Sequence, residues 1–228
     1  MKPVEQLRAH SAEFAKTVFN VGDGVYTAVG YAASNSSMIE GDDGVIIVDT
    51  TEGTGAASNI LAEFRKITDK PVRAIIYTHG HRDHISGASV FAEDGEPDIY
   101  ARANLAIELA EGGDRPYPTK LMIARTKRQF GIGLEYETEL INLGLGPGDR
   151  PLEGLGQGFL QPTHWVKNDR LDVEICGIPL SLIAAPGETE DHLVVWREKD
   201  RILFSGDNYY KSFPNLYAIR GTKYRDFD

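Results

Sequence analysis

The run Tyr77-Thr78-His79-Gly80-His81-Arg82-Asp83-His84 places three imidazoles and a carboxylate within six positions. The chain has only six histidines, so this grouping needs a physical reason. Packing these side chains together is costly unless a cation holds them, and nitrogen and carboxylate donors are what zinc takes. A preceding apolar segment, Val72 to Thr78, reads as a buried strand. Residues two apart on a strand share a side, so His79 and His81 can face one point. Gly80 lets the backbone pass close by, and Asp83 and His84 follow from the bend. Metal-assisted hydrolysis is the chemistry such a cluster supports.

The elements around this run read as alternating strands and helices. Val25 to Val29 and Ser37 to Glu40 are expected strands, followed by the turn Gly41-Asp42-Asp43-Gly44. Val45 to Asp49 is continuously apolar up to its last residue, the pattern of a strand buried on both faces. Ile60, Leu61, Phe64 and Ile67 recur at helical spacing in a helix from Ala57 to Lys66, which Pro71 closes off. Strand, helix and strand in this order form a crossover unit, whose ligand loops lie at the carboxyl ends of the strands. Arg102 to Ala110 and Leu121 to Phe130 read as helices separated by Pro116 and Pro118. Residues 131–158 contain eight glycines and little periodicity, which fits either a surface loop or a loop over the active site. From Leu171 the pattern alternates: Leu171, Val173 and Ile175, then Leu180, Leu182 and Ala184 after the Gly177-Ile178-Pro179 turn. Leu193 to Trp196 and Arg201 to Phe204 complete the β-rich second half. One α/β domain with a pair of sheets at its core is expected.

Composition excludes several function classes. The chain of 228 residues carries 24 Lys and Arg against 34 Asp and Glu, a net charge of −10 that repels nucleic acid phosphates. Cys176 is the single cysteine, so no intramolecular disulfide forms. No run approaches the roughly 20 apolar residues of a membrane span. Met1 to Lys16 has scattered charges and no apolar core, so no secretory signal is read and a cytoplasmic enzyme is expected.

The His-Xaa-His-Xaa-Asp-His run after a buried strand resembles the metallo-β-lactamase superfamily, which implies an αββα sandwich with the metal site along one edge. Two downstream segments extend the resemblance. Ala185-Pro186-Gly187-Glu188-Thr189-Glu190-Asp191-His192 is similar to a superfamily loop ending in a metal-binding histidine. Phe204-Ser205-Gly206-Asp207 is similar to the strand end that supplies a bridging aspartate. The resemblance implies that His79, His81 and His192 hold a first zinc ion. It implies that Asp83, His84 and Asp207 hold a second, with Asp207 bridging and Asp83 also orienting the nucleophilic water. His81 speaks against the oxygen-reducing di-iron members, which have a carboxylate there.

Asp207 to Gly221, with its Asn215-Leu216-Tyr217-Ala218-Ile219-Arg220-Gly221 segment, resembles the alkyl sulfatases of this superfamily, as does Ser36-Ser37-Met38-Ile39-Glu40-Gly41. That likeness implies that Asn215 and Arg220 contact a sulfate, and that Tyr209, Tyr210, Phe213 and Tyr217 line an alkyl pocket or pack in the core. The chain departs from the alkyl sulfatase pattern in having His192 and Asp207 where that pattern has glutamates. No histidine follows His192 to complete the second zinc site. The expectation is therefore a zinc-dependent hydrolase of alkyl sulfates or similar apolar sulfates, homodimeric in full-length form, with this chain the catalytic part lacking its C-terminal portion. Hydrolysis of a carboxylic ester, thioester, lactone or lactam on the same site is the alternative, and a zinc-binding fragment without turnover is a third reading.

Overall fold

The computed structural model describes residues 2–93, 95–105, 120–121, 124, 127–128, 131–144 and 146–210. Eleven strands are assigned among them, and these form two sheets. The first sheet runs in spatial order through β1 (Thr17–Gly22), β2 (Val25–Val29), β3 (Ser36–Glu40), β4 (Val45–Val48), β5 (Val72–Ile76), β6 (Asp98–Arg102) and β7 (His164–Val166). Its first four strands are antiparallel, and β4 to β7 are parallel. The second sheet is an antiparallel meander of β8 (Arg170–Ile175), β9 (Ile178–Ala184), β10 (Leu193–Arg197) and β11 (Ile202–Phe204).

β4 shows why its apolar run is continuous. Val45 and Ile47 pack into the helix-side core with Ala57, Ile60 and Phe64 of α2 (Thr54–Phe64) and with Ala88 and Phe91 of α4 (Ala88–Ala92). Ile46 and Val48 face the other way, into a core shared with Ile175, Leu180, Leu182, Leu193, Val195 and Phe204 of the second sheet. A strand between two cores has no polar face, and each fully buried aliphatic side chain there contributes roughly 1.5–3 kcal/mol. The layers among the described residues are thus helices, sheet, sheet.

Several elements differ from the sequence expectation. β1 is an edge strand whose Phe19 and Val21 are half exposed, so its apolar pattern carries no burial signal. Arg102 ends β6 rather than starting a helix; Ile99, Tyr100 and Ala101 are all buried, giving a run too short to show a period. Of the rest of the expected helix from Arg102 to Ala110, Ala103 and Asn104 form a turn and Leu105 is helical, and residues 106–110 lie outside the described residues. An N-terminal helix, α1 (Pro3–His10), was not read, because no residue of it is buried and it has no apolar stripe.

Gly87 marks the closest approach in the helical layer. A Cβ there would lie 2.0 Å from the Thr50 carbonyl oxygen and 2.6 Å from Ala57 Cβ, so only glycine lets α4 start against the β4–α2 connection.

Candidate metal centre

The centre forms where β4 and β5 end side by side. Their parallel register pairs Val48 with Ile76, so Asp49 leaves the sheet beside Tyr77 and Thr78. Asp49 adopts a left-handed backbone (φ 60°), a conformation that Asp tolerates better than most residues. Its buried carboxylate accepts the Thr78 N–H and the Thr78 hydroxyl, both at 2.8 Å, and faces His84 Nδ1 at 2.7 Å. A carboxylate can only accept here, so Nδ1 carries the proton and His84 Nε2 is turned toward Asp207 Oδ1 at 3.2 Å and Asp83 Oδ2 at 3.6 Å. The Thr78 hydroxyl has given its proton to Asp49, so toward His79 Nδ1, 3.1 Å away, it accepts. His79 therefore also presents an unprotonated Nε2, the form a metal ligand needs.

Asp83 and His84 sit on a single helical turn, α3 (Arg82–Ile85), which His81 precedes. The β4–α2 connection holds that turn: the Thr50 N–H and hydroxyl both donate to the His84 carbonyl, and Ser86 N–H donates to the Thr51 carbonyl. The Ser34 hydroxyl donates to the Asp83 carbonyl. The second sheet supplies the other side. Leu193 N–H donates to the Thr78 carbonyl at 2.8 Å, which joins the start of β10 to the end of β5. The β9–β10 loop presents Glu188, and the turn after β11, residues Gly206–Asn208, presents Asp207.

Two ligand groups result. His79, His81, Glu188 and Asp207 offer donor atoms within 4.8 Å of one another, and so do Asp83, His84 and Asp207. Asp207 belongs to both. Five of the six residues read from sequence as ligands are therefore brought together. His192 is not in either group, whereas Glu188, four residues earlier, is in the first. The reason is local. His192 is fully buried just before β10, its Nε2 accepts the Asp207 N–H at 3.1 Å, and its ring stacks on His79 at 4.8 Å. Its lone pair is thus committed to the backbone that carries Asp207. Glu188 follows Gly187 in the same loop and is also buried, with Oε2 at 3.8 Å from His79 Nε2 and 3.7 Å from His81 Nδ1. A carboxylate directly after the Pro186-Gly187 bend is the sequence signal for it.

The electrostatics fit a cation. Burial opposes charge on His84, yet Asp207, Asp49 and Asp83 raise its pKa well above the usual histidine value. Burial pushes the Asp207 carboxyl up, against the lowering effect of His84. Burial holds His192 down to about 4. A metal ligand must be deprotonated at the binding atom, so metal held at His84 Nε2 would displace any proton there. Imidazole and carboxylate donors in this number suit zinc or a similar divalent ion.

In sequence Asp49 is only the polar end of an apolar strand. Asp49→Asn keeps the left-handed backbone but weakens the hold on His84. Losing a hydrogen bond that orients a ligating histidine is expected to cost about 10–100-fold in metal affinity. Competition with a chelator measures it; unchanged affinity would remove Asp49 from the centre.

The glycine-rich stretch lies against the Asp83 side. Arg150 Nε donates to Glu52 Oε1 at 2.8 Å in a buried ion pair, and that same oxygen accepts the Ala33 N–H. Gly156 N–H donates to the Glu52 carbonyl, and Arg82 Nη1 reaches the Gly156 carbonyl at 3.4 Å. Tyr209 is 71% exposed, whereas the Tyr210 hydroxyl is engaged by carboxylates, so neither forms an apolar wall among the described residues. Phe213, Asn215, Tyr217 and Arg220 lie outside the described residues. No helix among the described residues is long and apolar enough to cross a membrane.

A family model described as the metallo-beta-lactamase superfamily matches residues 29–213. The chain is 38% identical over 196 residues to a linear primary-alkylsulfatase of Pseudomonas sp. (strain ATCC 19151), covering 83% of this chain and 36% of that protein. It is 28% identical over 220 residues to the alkyl/aryl-sulfatase BDS1 of Saccharomyces cerevisiae, covering 92% of this chain and 33% of that protein. A solved structure of a double mutant of the sec-alkyl sulfatase PisA1 superposes with a TM-score of 0.79 at 21% identity, over 96% of this chain and 36% of that one. The chain therefore spans about a third of the length of these relatives. With the matched family model covering both ligand groups, the chain belongs to the metallo-beta-lactamase superfamily.

Proposed function

We propose that this chain carries the metal centre of a hydrolase that cleaves sulfuric esters of alkyl or similar apolar alcohols. The observation that carries the reading is the pair of ligand groups sharing Asp207, His79 with His81 and Glu188 on one side and Asp83 with His84 on the other. Identity of 38% to a linear primary-alkylsulfatase supports the substrate class. In this reading His79, His81 and Glu188 would hold one zinc ion, Asp83 and His84 another, and Asp207 would be available to both. Zinc held there would supply a water of lowered pKa and a Lewis acid for the ester.

The protein's own residues do the rest. Asp83 has the most exposed carboxylate of the cluster, with a third of its side chain accessible against a fifth for Asp207. It is the group placed to accept a hydrogen bond from the attacking water and orient it. Asp49 and Thr78 keep His84 and His79 in the tautomers that leave Nε2 available. Asn215 and Arg220 bind the sulfate, a guanidinium being well matched to a tetrahedral anion. The test is a hydrolysis screen of linear alkyl sulfates against thioesters and lactones, with zinc supplied and pH recorded. Faster turnover of sulfates is expected; a preference for thioesters or lactones would replace the substrate class while keeping the metal chemistry.

A further inference from the structure

Residues 207–210 grip the β9–β10 loop at several points. Asn208 Nδ2 donates to the Ala185 carbonyl at 2.6 Å, and its Oδ1 accepts the Glu188 N–H at 3.3 Å. Tyr210 goes further than backbone contacts. Its hydroxyl lies 2.8 Å from Glu188 Oε2 and 2.9 Å from Asp207 Oδ2. These carboxylates come from different loops, and Asp207 is the residue shared by the two ligand groups. Glu188 Oε2 is also the oxygen nearest His79 and His81, while the other oxygen of Asp207 faces His84. The hydroxyl thus lies within donating distance of one carboxylate from the first group and of the carboxylate common to both, and its one proton can go to either. Tyr209, next in the chain, is 71% exposed, so the placement of Tyr210 is not a general property of this segment.

We propose that Tyr210 is a positioning residue of the metal centre: its hydroxyl fixes Glu188 relative to Asp207, so that the first ligand group is assembled before metal arrives. A carboxylate side chain has free torsions, and holding two of them in place lowers the ordering cost of binding. Hydrogen bonds to ligating carboxylates orient them toward the metal, and removing one typically costs about 10–100-fold in metal affinity. Tyr210→Phe removes the hydroxyl and leaves the ring, so packing is preserved. The inference rests on the metal reading proposed above.

The experiment uses cobalt(II) as the probe, because its visible spectrum reports ligand geometry directly. Parent and Tyr210→Phe are compared by circular dichroism, by chelator competition and by the spectrum of the cobalt-loaded chain. The expected result is an unchanged fold, affinity lower by about tenfold or more, and an altered cobalt spectrum. Equal affinity and an equal spectrum in a folded variant would overturn the role of Tyr210 and leave the metal reading standing. A variant that loses its secondary structure along with the metal would also overturn it, since the hydroxyl would then serve the fold. If the parent itself takes up no cobalt, the metal reading fails and this inference falls with it.

Discussion

Asp207→Ala is expected to deplete both metal positions at once, because Asp207 is the one residue common to the two ligand groups. Hydrolysis should fall by several kcal/mol of transition-state stabilisation, on the order of a thousandfold or more. Elemental analysis after dialysis gives the direct readout. The neighbouring ligands grade the effect. Glu188→Ala should deplete the first position and spare the second. His192→Gln should keep most of the metal, since the His192 lone pair is committed to the Asp207 backbone rather than to the centre. The reverse order, metal lost from His192→Gln and kept by Glu188→Ala, would restore the histidine-ended loop as the source of the third ligand. The Gly206→Ala change acts through the same segment. A Cβ there would lie 2.7 Å from His192 Nε2 and 2.8 Å from the Thr78 hydroxyl, so it should displace Asp207 without removing any ligand.

Arg220→Ala is expected to lower turnover of alkyl sulfates about tenfold to a hundredfold while metal content stays at the parent value. One charge-assisted hydrogen bond to an anion is worth roughly 1.5–3 kcal/mol, which converts to that range in rate. Arg220→Lys keeps the charge but not the planar fork, so it should recover only part of the loss. The measurement is kcat/KM on a linear alkyl sulfate with metal analysis on the same preparations. Activity of Arg220→Ala equal to the parent would take Arg220 out of the sulfate contact and weaken the sulfatase reading with it. Loss of metal alongside activity would give Arg220 a role in the fold instead.

His79, His81, Asp83 and His84 were legible in sequence because they are local. Strand periodicity puts His79 and His81 on one side, and a single turn of helix brings Asp83 and His84 beside them, so few long-range facts are needed. β4 was legible for a related reason: four consecutive aliphatic residues can only be accommodated between two cores. β1 was not, since an edge strand with Phe19 and Val21 facing outward has no burial pattern to read. That Glu188 rather than His192 falls within a ligand group is a matter of tertiary structure alone. Both sit in one short loop with suitable donors. Which of them faces the centre depends on where β10 begins against Thr78, a contact between residues more than a hundred positions apart. The same is true of Asp49 and Tyr210. Neither belongs to a spacing motif, and each acquires its role only when two strand ends, or two loops of the second sheet, are folded against each other. Side-chain chemistry and local period determined what the centre is made of; the packing of one sheet on the other determined which donors face inward and what holds them there.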